Sequence, residues 1–173
     1  GLNALYSNTT GSNNVAMGTT ALQANTTASN NTAVGYQAGY SNTTGQYNAA
    51  FGDYALYSNS TASNNTAVGD VALYDNTTGN WNVAVGSNAL TNNTTARSNT
   101  AVGYLAAYSN TTGNFNTFVG KDAGYSNTTS DASSFFGEYS GRNTTGASNT
   151  FYGQQSGYEV TTGTKNTILG RYT

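Results

Sequence analysis

The stretch Asn31-Thr32-Ala33-Val34-Gly35 recurs in near-copies along the whole chain of 173 residues, and its period decides the fold. Its last residue returns at a constant 17-residue step as far as Gly137, and after a shorter step at Gly153. A fixed short period is typical of a repeat protein, in which each unit buries its apolar face only against its neighbours. The recurring glycines, which we expect to be structural, are Gly18, Gly35, Gly52, Gly69, Gly86, Gly103, Gly120, Gly137, Gly153 and Gly170.

Counting each recurring glycine as position 17, the chain divides into ten units that form one domain, residues 1–173. The ninth unit is one residue short. The units are 2–18, 19–35, 36–52, 53–69, 70–86, 87–103, 104–120, 121–137, 138–153 and 154–170.

Each unit contains two short runs that favour extended backbone, separated by a centre such as Asn42-Thr43-Thr44-Gly45 that favours a turn. Neither run reaches helical length, and frequent Gly, Asn and Thr oppose a helix. The sequence therefore predicts an all-β solenoid, a β-roll of ten stacked 17-residue coils with two short strands per coil.

A weaker 34-residue period overlies the first, since position 12 carries Tyr47, Trp81 and Phe115 in every second unit. A coil of one unit and a coil of two units both remain open. We favour one unit per coil, because two strands and two turns already close a circuit at that length.

The interior is predicted from the side chains that recur at fixed positions. Position 3 is always Ala or Ser, which indicates that it faces inward against a close wall. Position 16 is the most apolar column, with Val68 as an example, and we expect it to be the main buried column. Positions 4 and 15 exchange volume, as Leu56 occurs with Ala67 but Gly124 with Phe135, which indicates that they share one space.

Composition excludes several classes of function. Charged residues are 7% of the chain and the net charge is −2, so we expect no nucleic-acid partner. The chain has no Cys, His or Pro, which excludes disulfides and thiolate or imidazole metal sites. No apolar run is long enough to span a bilayer, so we predict a soluble piece whose export signal is removed or lies elsewhere.

Catalysis is not expected, because the seven carboxylates are scattered and the usual nucleophile–base pairs cannot be assembled. Asp53 and Asp70 both occupy position 1 of successive units, where they would either hold a cation or stand as two solvated acids. The repeated Asp-bearing nonapeptide of calcium-binding rolls is absent. We therefore predict no metal site and no cofactor.

Asn-x-Thr triplets recur at the turn-forming centre and have two interpretations. They match the acceptor pattern for N-linked sugar on an exported protein. Alternatively, amide and hydroxyl ladders run along the solenoid and satisfy one another from coil to coil. The candidate glycosylation sites are Asn8, Asn25, Asn42, Asn59, Asn76, Asn93, Asn110, Asn127 and Asn143.

Tyrosine dominates position 5, which makes this column the best candidate interface. An exposed aromatic stripe would bind a sugar or a neighbouring chain, whereas stacked rings would only stabilise their own sheet. Both interpretations stay open. The column contains Tyr6, Tyr40, Tyr57, Tyr74, Tyr108, Tyr125 and Tyr158.

The unit at residues 31–45 resembles the repeats of phage tail-fibre-like and related bacterial surface proteins. Its Asn…Ala-Val-Gly core is more distantly similar to the head repeats of trimeric autotransporter adhesins. The resemblance covers all ten units and implies an extracellular fibre on a secreted, cell-surface or virion protein, with no membrane span. No binding residue is transferred from it.

A structural fibre or filament protein that assembles as a homo-oligomer, end to end, is the first hypothesis, with adhesion to a cell-surface glycan as a possible task. The alternatives are an ice-binding solenoid and the receptor-binding shaft of a phage tail fibre. Against ice binding, Thr43 and Thr44 are adjacent and lie in a turn. A polysaccharide-cleaving tail spike would need the pair of carboxylates that the sequence does not place together.

Overall fold

A computed structural model describes residues 1–172, and this part of the chain is an all-β solenoid of ten strands with no helix. Each strand covers positions 14–16 of one unit. The strands are β1 (Val15–Met17), β2 (Thr32–Val34), β3 (Ala49–Phe51), β4 (Thr66–Val68), β5 (Val83–Val85), β6 (Thr100–Val102), β7 (Thr117–Val119), β8 (Ser134–Phe136), β9 (Thr150–Tyr152) and β10 (Thr167–Leu169).

The strands pair in parallel and in chain order, from β1 to β10, in a single sheet. Each residue lies opposite its equivalent in the next unit, as Val15 opposite Thr32 and Thr32 opposite Ala49. Between β8 and β9 the step is one residue shorter, with Ser134 opposite Thr150. The predicted solenoid with one unit per coil is therefore confirmed, and the two-unit alternation is a pattern on its surface.

The prediction of a second strand in each coil is wrong, because residues 1–172 contain one strand per coil and the run at positions 2–6 forms turns. Thr20 and Leu22, at positions 2 and 4, have φ angles of 55° and 49°, and left-handed backbone cannot continue a pleated strand. The wall still pairs between coils, since the Leu22 N–H donates to the Ala38 carbonyl at 3.0 Å.

The buried column of the sheet is position 15, and the prediction that position 16 builds the core is wrong. Ala67 is 0% exposed, whereas the next residue, Val68, is 38% exposed. Adjacent strand residues point to opposite faces, so burial of the middle residue of each strand sends position 16 outward. Position 3 faces inward as predicted, with Ala55 and Ser140 both fully buried.

Positions 4 and 15 share one space, as their volume exchange indicates. A Cβ atom on Gly124 would lie 2.7 Å from the ring of Phe118, so the nearest ring belongs to the preceding coil rather than to the same unit. At Gly39 the space is filled by Leu22 of the preceding coil, 2.9 Å from the place of a Cβ. The fully buried rings that oppose glycines in this way are Phe118, Phe135 and Phe151.

The recurring glycine is required by close approach of successive coils. Gly69 has a φ angle of 134°, and a Cβ atom there would lie 2.6 Å from the carbonyl carbon and oxygen of Gly86. A side chain at position 17 would therefore push the coils apart at the end of every strand.

Candidate functional site

Asparagine side chains form a continuous column inside the solenoid at position 7. The Asn76 side chain donates two hydrogen bonds through Nδ2, to Asn59 Oδ1 at 2.9 Å and to the Gly79 carbonyl at 3.0 Å. Its own Oδ1 accepts from Asn93 Nδ2 at 2.8 Å. From Asn25 to Asn93, each side-chain amide links its own coil to the coils before and after it, which is the ladder interpretation of these residues.

The same column contradicts glycosylation of most of the candidate asparagines in the folded chain. Their Nδ2 atoms lie in the interior, where an attached sugar has no room and would displace the neighbouring coil. The asparagines that are at most 1% exposed are Asn25, Asn42, Asn59, Asn76, Asn93, Asn110 and Asn127. Asn8, in the first coil, and Asn143, at position 6, are half-buried, and glycosylation of these two stays a prediction.

A second column of buried asparagines runs parallel to the first at position 13. Asn65 Nδ2 donates to the Gly79 carbonyl at 2.9 Å, and its Oδ1 accepts from the Asn82 N–H at 2.9 Å. The Gly79 carbonyl therefore joins both columns, since it also accepts from Asn76. The recurrence of Asn at position 13 in nine of ten units was the signal for this column.

The hydrogen bonds of the position-7 column end at Asn110, and in the shortened ninth unit the asparagine itself is replaced. Thr144 takes the inward place there, and its hydroxyl donates to the Val160 carbonyl at 2.7 Å. The buried side-chain amide of Asn127, one coil earlier, has no hydrogen-bond partner among the described residues. The interior therefore has buried polar atoms without hydrogen-bond partners at this junction.

The tyrosines of position 5 stack on one another along the outside of the turn-built wall. Tyr57 lies 5.2 Å from Tyr40 and 4.9 Å from Tyr74, measured between ring centroids, with interplanar angles of 8° and 5°. Tyr108 and Tyr125 stack in the same way. Because the ring faces cover each other, these tyrosines stabilise their own wall and present mainly edges and hydroxyls to a partner.

A cluster of tyrosines surrounds Tyr54, whose ring lies 5.2 Å from Tyr36 and 5.9 Å from Tyr57. Burial by neighbouring side chains raises the pKa of Tyr54 and Tyr57 above the ordinary value, and the charges of adjacent tyrosinates raise it further. These phenols therefore stay neutral over the physiological range.

The main ion pair of this wall joins Arg142 to Asp122. Arg142 Nε lies 3.1 Å from Asp122 Oδ2, and its guanidinium lies 4.9 Å from the ring centroid of Tyr125. The hydrogen bond to Asp122 raises the pKa of Arg142. The cation extends the tyrosine stack by one coil, since Arg142 occupies position 5 of its unit.

Of the acidic pair Asp53 and Asp70, Asp53 has a structural role, because its Oδ1 accepts a hydrogen bond from the Tyr36 N–H at 2.8 Å. Within residues 1–172, no group of three or more Asp, Glu, His or Cys side chains is placed to hold a metal ion.

A cleft of about 340 Å³ lies against the last coil and is lined by Gln155, Tyr158, Glu159 and Tyr172.

The outward side of the solenoid carries two features that sequence periodicity did not place. Position 16 forms a partly exposed apolar column on the sheet, in which Phe51 and Tyr152 are exposed and Val85 is half-buried. The alternating aromatics of position 12, Tyr47, Trp81 and Phe115, are also exposed rather than packed between coils. The surface of the solenoid is therefore more apolar than the sequence predicts, because position 16 was expected to be buried.

No protein-family model, no curated protein and no solved structure matches this chain. Within the described residues, no helix has the length and apolar character needed to cross a bilayer.

Proposed function

We propose that this chain is the shaft of an extracellular fibre, with a structural rather than a catalytic role. The observation that carries the proposal is the continuous backbone pairing between coils, from β1 to β10. Inside the solenoid, the Asn column of position 7 adds a bond between successive coils from Asn8 to Asn110. Ten coils at about 4.8 Å make a rod of about 48 Å, in which axial tension is shared by several hydrogen bonds per coil.

The exposed position-16 column supports homo-oligomerisation of such shafts. Met17, Phe51, Tyr152 and Leu169 leave much of their side chains in water, along one edge of a regular sheet. A second copy has the same spacing between coils, so its column matches this one over the whole length of the rod. End-to-end stacking stays a prediction of the same proposal, since coils pair through equivalent backbone groups.

Sedimentation velocity and negative-stain electron microscopy test this proposal together. We expect rods that are larger than monomers at micromolar protein, and we expect Phe51→Lys to reduce their mass by placing a charge in the column. Tyr104→Lys is the matched control, because Tyr104 is exposed at position 1. Compact monomers with a globular outline would overturn the proposal.

Ice binding is retained as a second candidate on one observation. Thr32, Thr66, Thr100 and Thr117 all point outward from position 14 of the regular sheet, as a partial column of hydroxyls and methyls. The turn threonines do not form such a surface, since Thr43 donates its hydroxyl to the Ser60 carbonyl at 3.0 Å. Measurement of thermal hysteresis in the presence of the chain tests ice binding, and a lack of hysteresis would exclude it.

The receptor-binding shaft of a phage tail fibre, with a cell-surface glycan as partner, is the more specific form of the fibre proposal. The resemblance of the repeat unit to such fibres supports it. Adhesion of the purified chain to bacterial cells, competed by extracted surface polysaccharide, tests it.

A further inference from the structure

Three exposed aromatic side chains stand in one line on the solenoid, and we name them the aromatic row: Tyr47, Trp81 and Phe115. They occupy position 12 of the third, fifth and seventh coils. Their exposed fractions are nearly equal, at 59%, 57% and 56%. Single exposed apolar side chains are ordinary at a protein surface, whereas a regular line of three at one position indicates an interaction surface.

The backbone presents the three rings from equivalent places. Their φ angles are 57°, 58° and 60°, and each N–H pairs with the preceding coil, as Trp81 does with the Ser63 carbonyl at 3.3 Å. Equivalent atoms in adjacent coils are about 4.8 Å apart, so neighbouring rings of the row are anchored about 9.6 Å apart.

Stability of the fold does not explain aromatic residues at these points. Left-handed backbone is unfavourable for bulky side chains and tolerated best by Asn and Gly, and the alternate coils carry the small polar residues Asn30, Asn64 and Ser98 at the same position. The row breaks this local preference without burying its rings. Such a break without a gain in packing indicates a functional surface.

An extended chain of 1,4-β-linked sugars fits the row. Successive pyranose rings in such a chain are turned over, so every second sugar presents the same face, at a repeat close to two coils. The C–H groups of that face match the negative faces of aromatic rings. Position 12 bears no charge from the second coil to the eighth, and Asn64 and Ser98 stand between the rings, which suits an uncharged, hydroxyl-rich ligand. One cation lies beside the row, since the Arg97 guanidinium is 5.7 Å from the ring centroid of Phe115, and its N–H groups can donate to sugar hydroxyls.

A second copy of the chain suits the row less well. Three rings at these exposures offer roughly 350 Å², whereas a stable protein interface needs about 800 Å² on each partner. The row is also interrupted in every second coil by a polar or small residue. We therefore propose that the aromatic row binds a neutral 1,4-β-linked polysaccharide along the solenoid axis, an inference that rests on the proposed fibre role and gives the shaft a ligand.

Co-sedimentation with microcrystalline cellulose and with chitin tests the inference, and cross-linked dextran, which is α-linked, is the negative matrix. We expect binding to at least one of the two β-linked matrices and none to dextran. Trp81→Ala should weaken binding about fivefold or more. Tyr104→Ala is the matched control, because it removes a similarly exposed aromatic outside the row and should leave binding unchanged.

A double variant, Asn64→Trp with Trp81→Asn, tests the spacing itself. It keeps composition and exposed aromatic area but places the tryptophan one coil from Tyr47 and three coils from Phe115. We expect it to bind as weakly as Trp81→Ala. Binding equal to that of the native chain, binding to dextran, or no binding to either β-linked matrix would overturn the inference.

Sedimentation velocity of the same variants separates this inference from the fibre proposal. Rods of unchanged mass with lost polysaccharide binding are the expected result for Trp81→Ala. Dissociation of the rods by this variant would assign the row to contacts between copies and would overturn the ligand. A native chain that forms rods but binds no polysaccharide would overturn the ligand and leave the fibre proposal standing alone.

Discussion

Thr20, Leu22 and Asn30 all hold left-handed backbone within a single coil, and equivalent residues do so throughout the solenoid. For a residue other than Gly, this conformation costs about 1–2 kcal/mol. The cost is tolerated because each N–H at these bends donates to an adjacent coil, as Leu22 does to Ala38, while the Leu22 carbonyl accepts from the Asn25 N–H of its own coil. Local strain is therefore the consequence of a short coil that must turn several times within one repeat.

Val71 is the residue at which this strain is most easily relieved. It is β-branched, has a φ angle of 59°, and occupies a half-buried position 2. We expect Val71→Asn to stabilise the fold by about 1 kcal/mol, because Asn tolerates left-handed backbone. Thermal unfolding measures the change. Val85→Asn, in a strand, is the control and should destabilise; a lower melting temperature for Val71→Asn would contradict the strain argument.

At the scale of the strand, orientation decides what each position tolerates. From β1 to β9, the middle residue of each strand is Ala, or Phe opposed by Gly, because it faces a narrow interior, while both flanking residues face outward. The apolar column at position 16 therefore belongs to the surface.

Neighbouring substitutions in β4 test this orientation. We expect Ala67→Asp to unfold the chain, because it places an unpaired charge in the core, at a cost of several kcal/mol. Val68→Asp should keep the β-type circular dichroism, because its side chain reaches water. The opposite order of effects would show that position 16 faces inward after all.

The buried asparagine column is the second element that invites a test. Asn76→Asp replaces a donor by a carboxylate facing Asn59 Oδ1 and the Gly79 carbonyl, so we expect a loss of roughly 3 kcal/mol at neutral pH. Burial raises the pKa of the new carboxyl above the ordinary value of about 3.9. The loss should therefore shrink as pH falls through that raised pKa.

Urea unfolding of Asn76→Asp at neutral and acid pH, each against the native chain, measures this dependence. Asn64→Asp is the matched control, since Asn64 is exposed and outside the column. A penalty that is equal at both pH values would mean that the carboxylate reaches solvent and that the column is not closed to water.

At the scale of the whole molecule, the tyrosine wall links pH to stability. The pKa of Tyr54 and Tyr57 is raised above 10.0 in the folded chain. The contribution of these two neutral phenols to folding stability is therefore complete below the ordinary phenol pKa, and it is lost as pH rises through the raised pKa values. We expect the melting temperature to hold through neutral pH and to fall in alkali.

Thermal melts across the alkaline range measure this loss, and Tyr54→Phe should make it less steep because it removes one ionising group. Tyr6→Phe is the control, since Tyr6 is exposed in the first coil. An alkaline slope that Tyr54→Phe leaves unchanged would assign the loss to other groups.

Periodicity alone determined the repeat class, the inward alanines such as Ala55 and the packing of position 4 against position 15. These follow from the sequence because they depend on residue size recurring at a fixed step. The role of Gly69 also followed, since only glycine recurs where two coils touch.

Only the tertiary structure decided which wall is a strand and which way each column faces. An alternating run has two possible phases, and by size Val68 is the better candidate for a core than Ala67, but the narrow interior excludes it. Asparagines such as Asn76 look like exposed turn residues in sequence, because their hydrogen-bond partners lie one coil away. A polar side chain can be buried only where it finds hydrogen-bond partners, and here adjacent coils supply those partners. The sequence of a single unit does not show them.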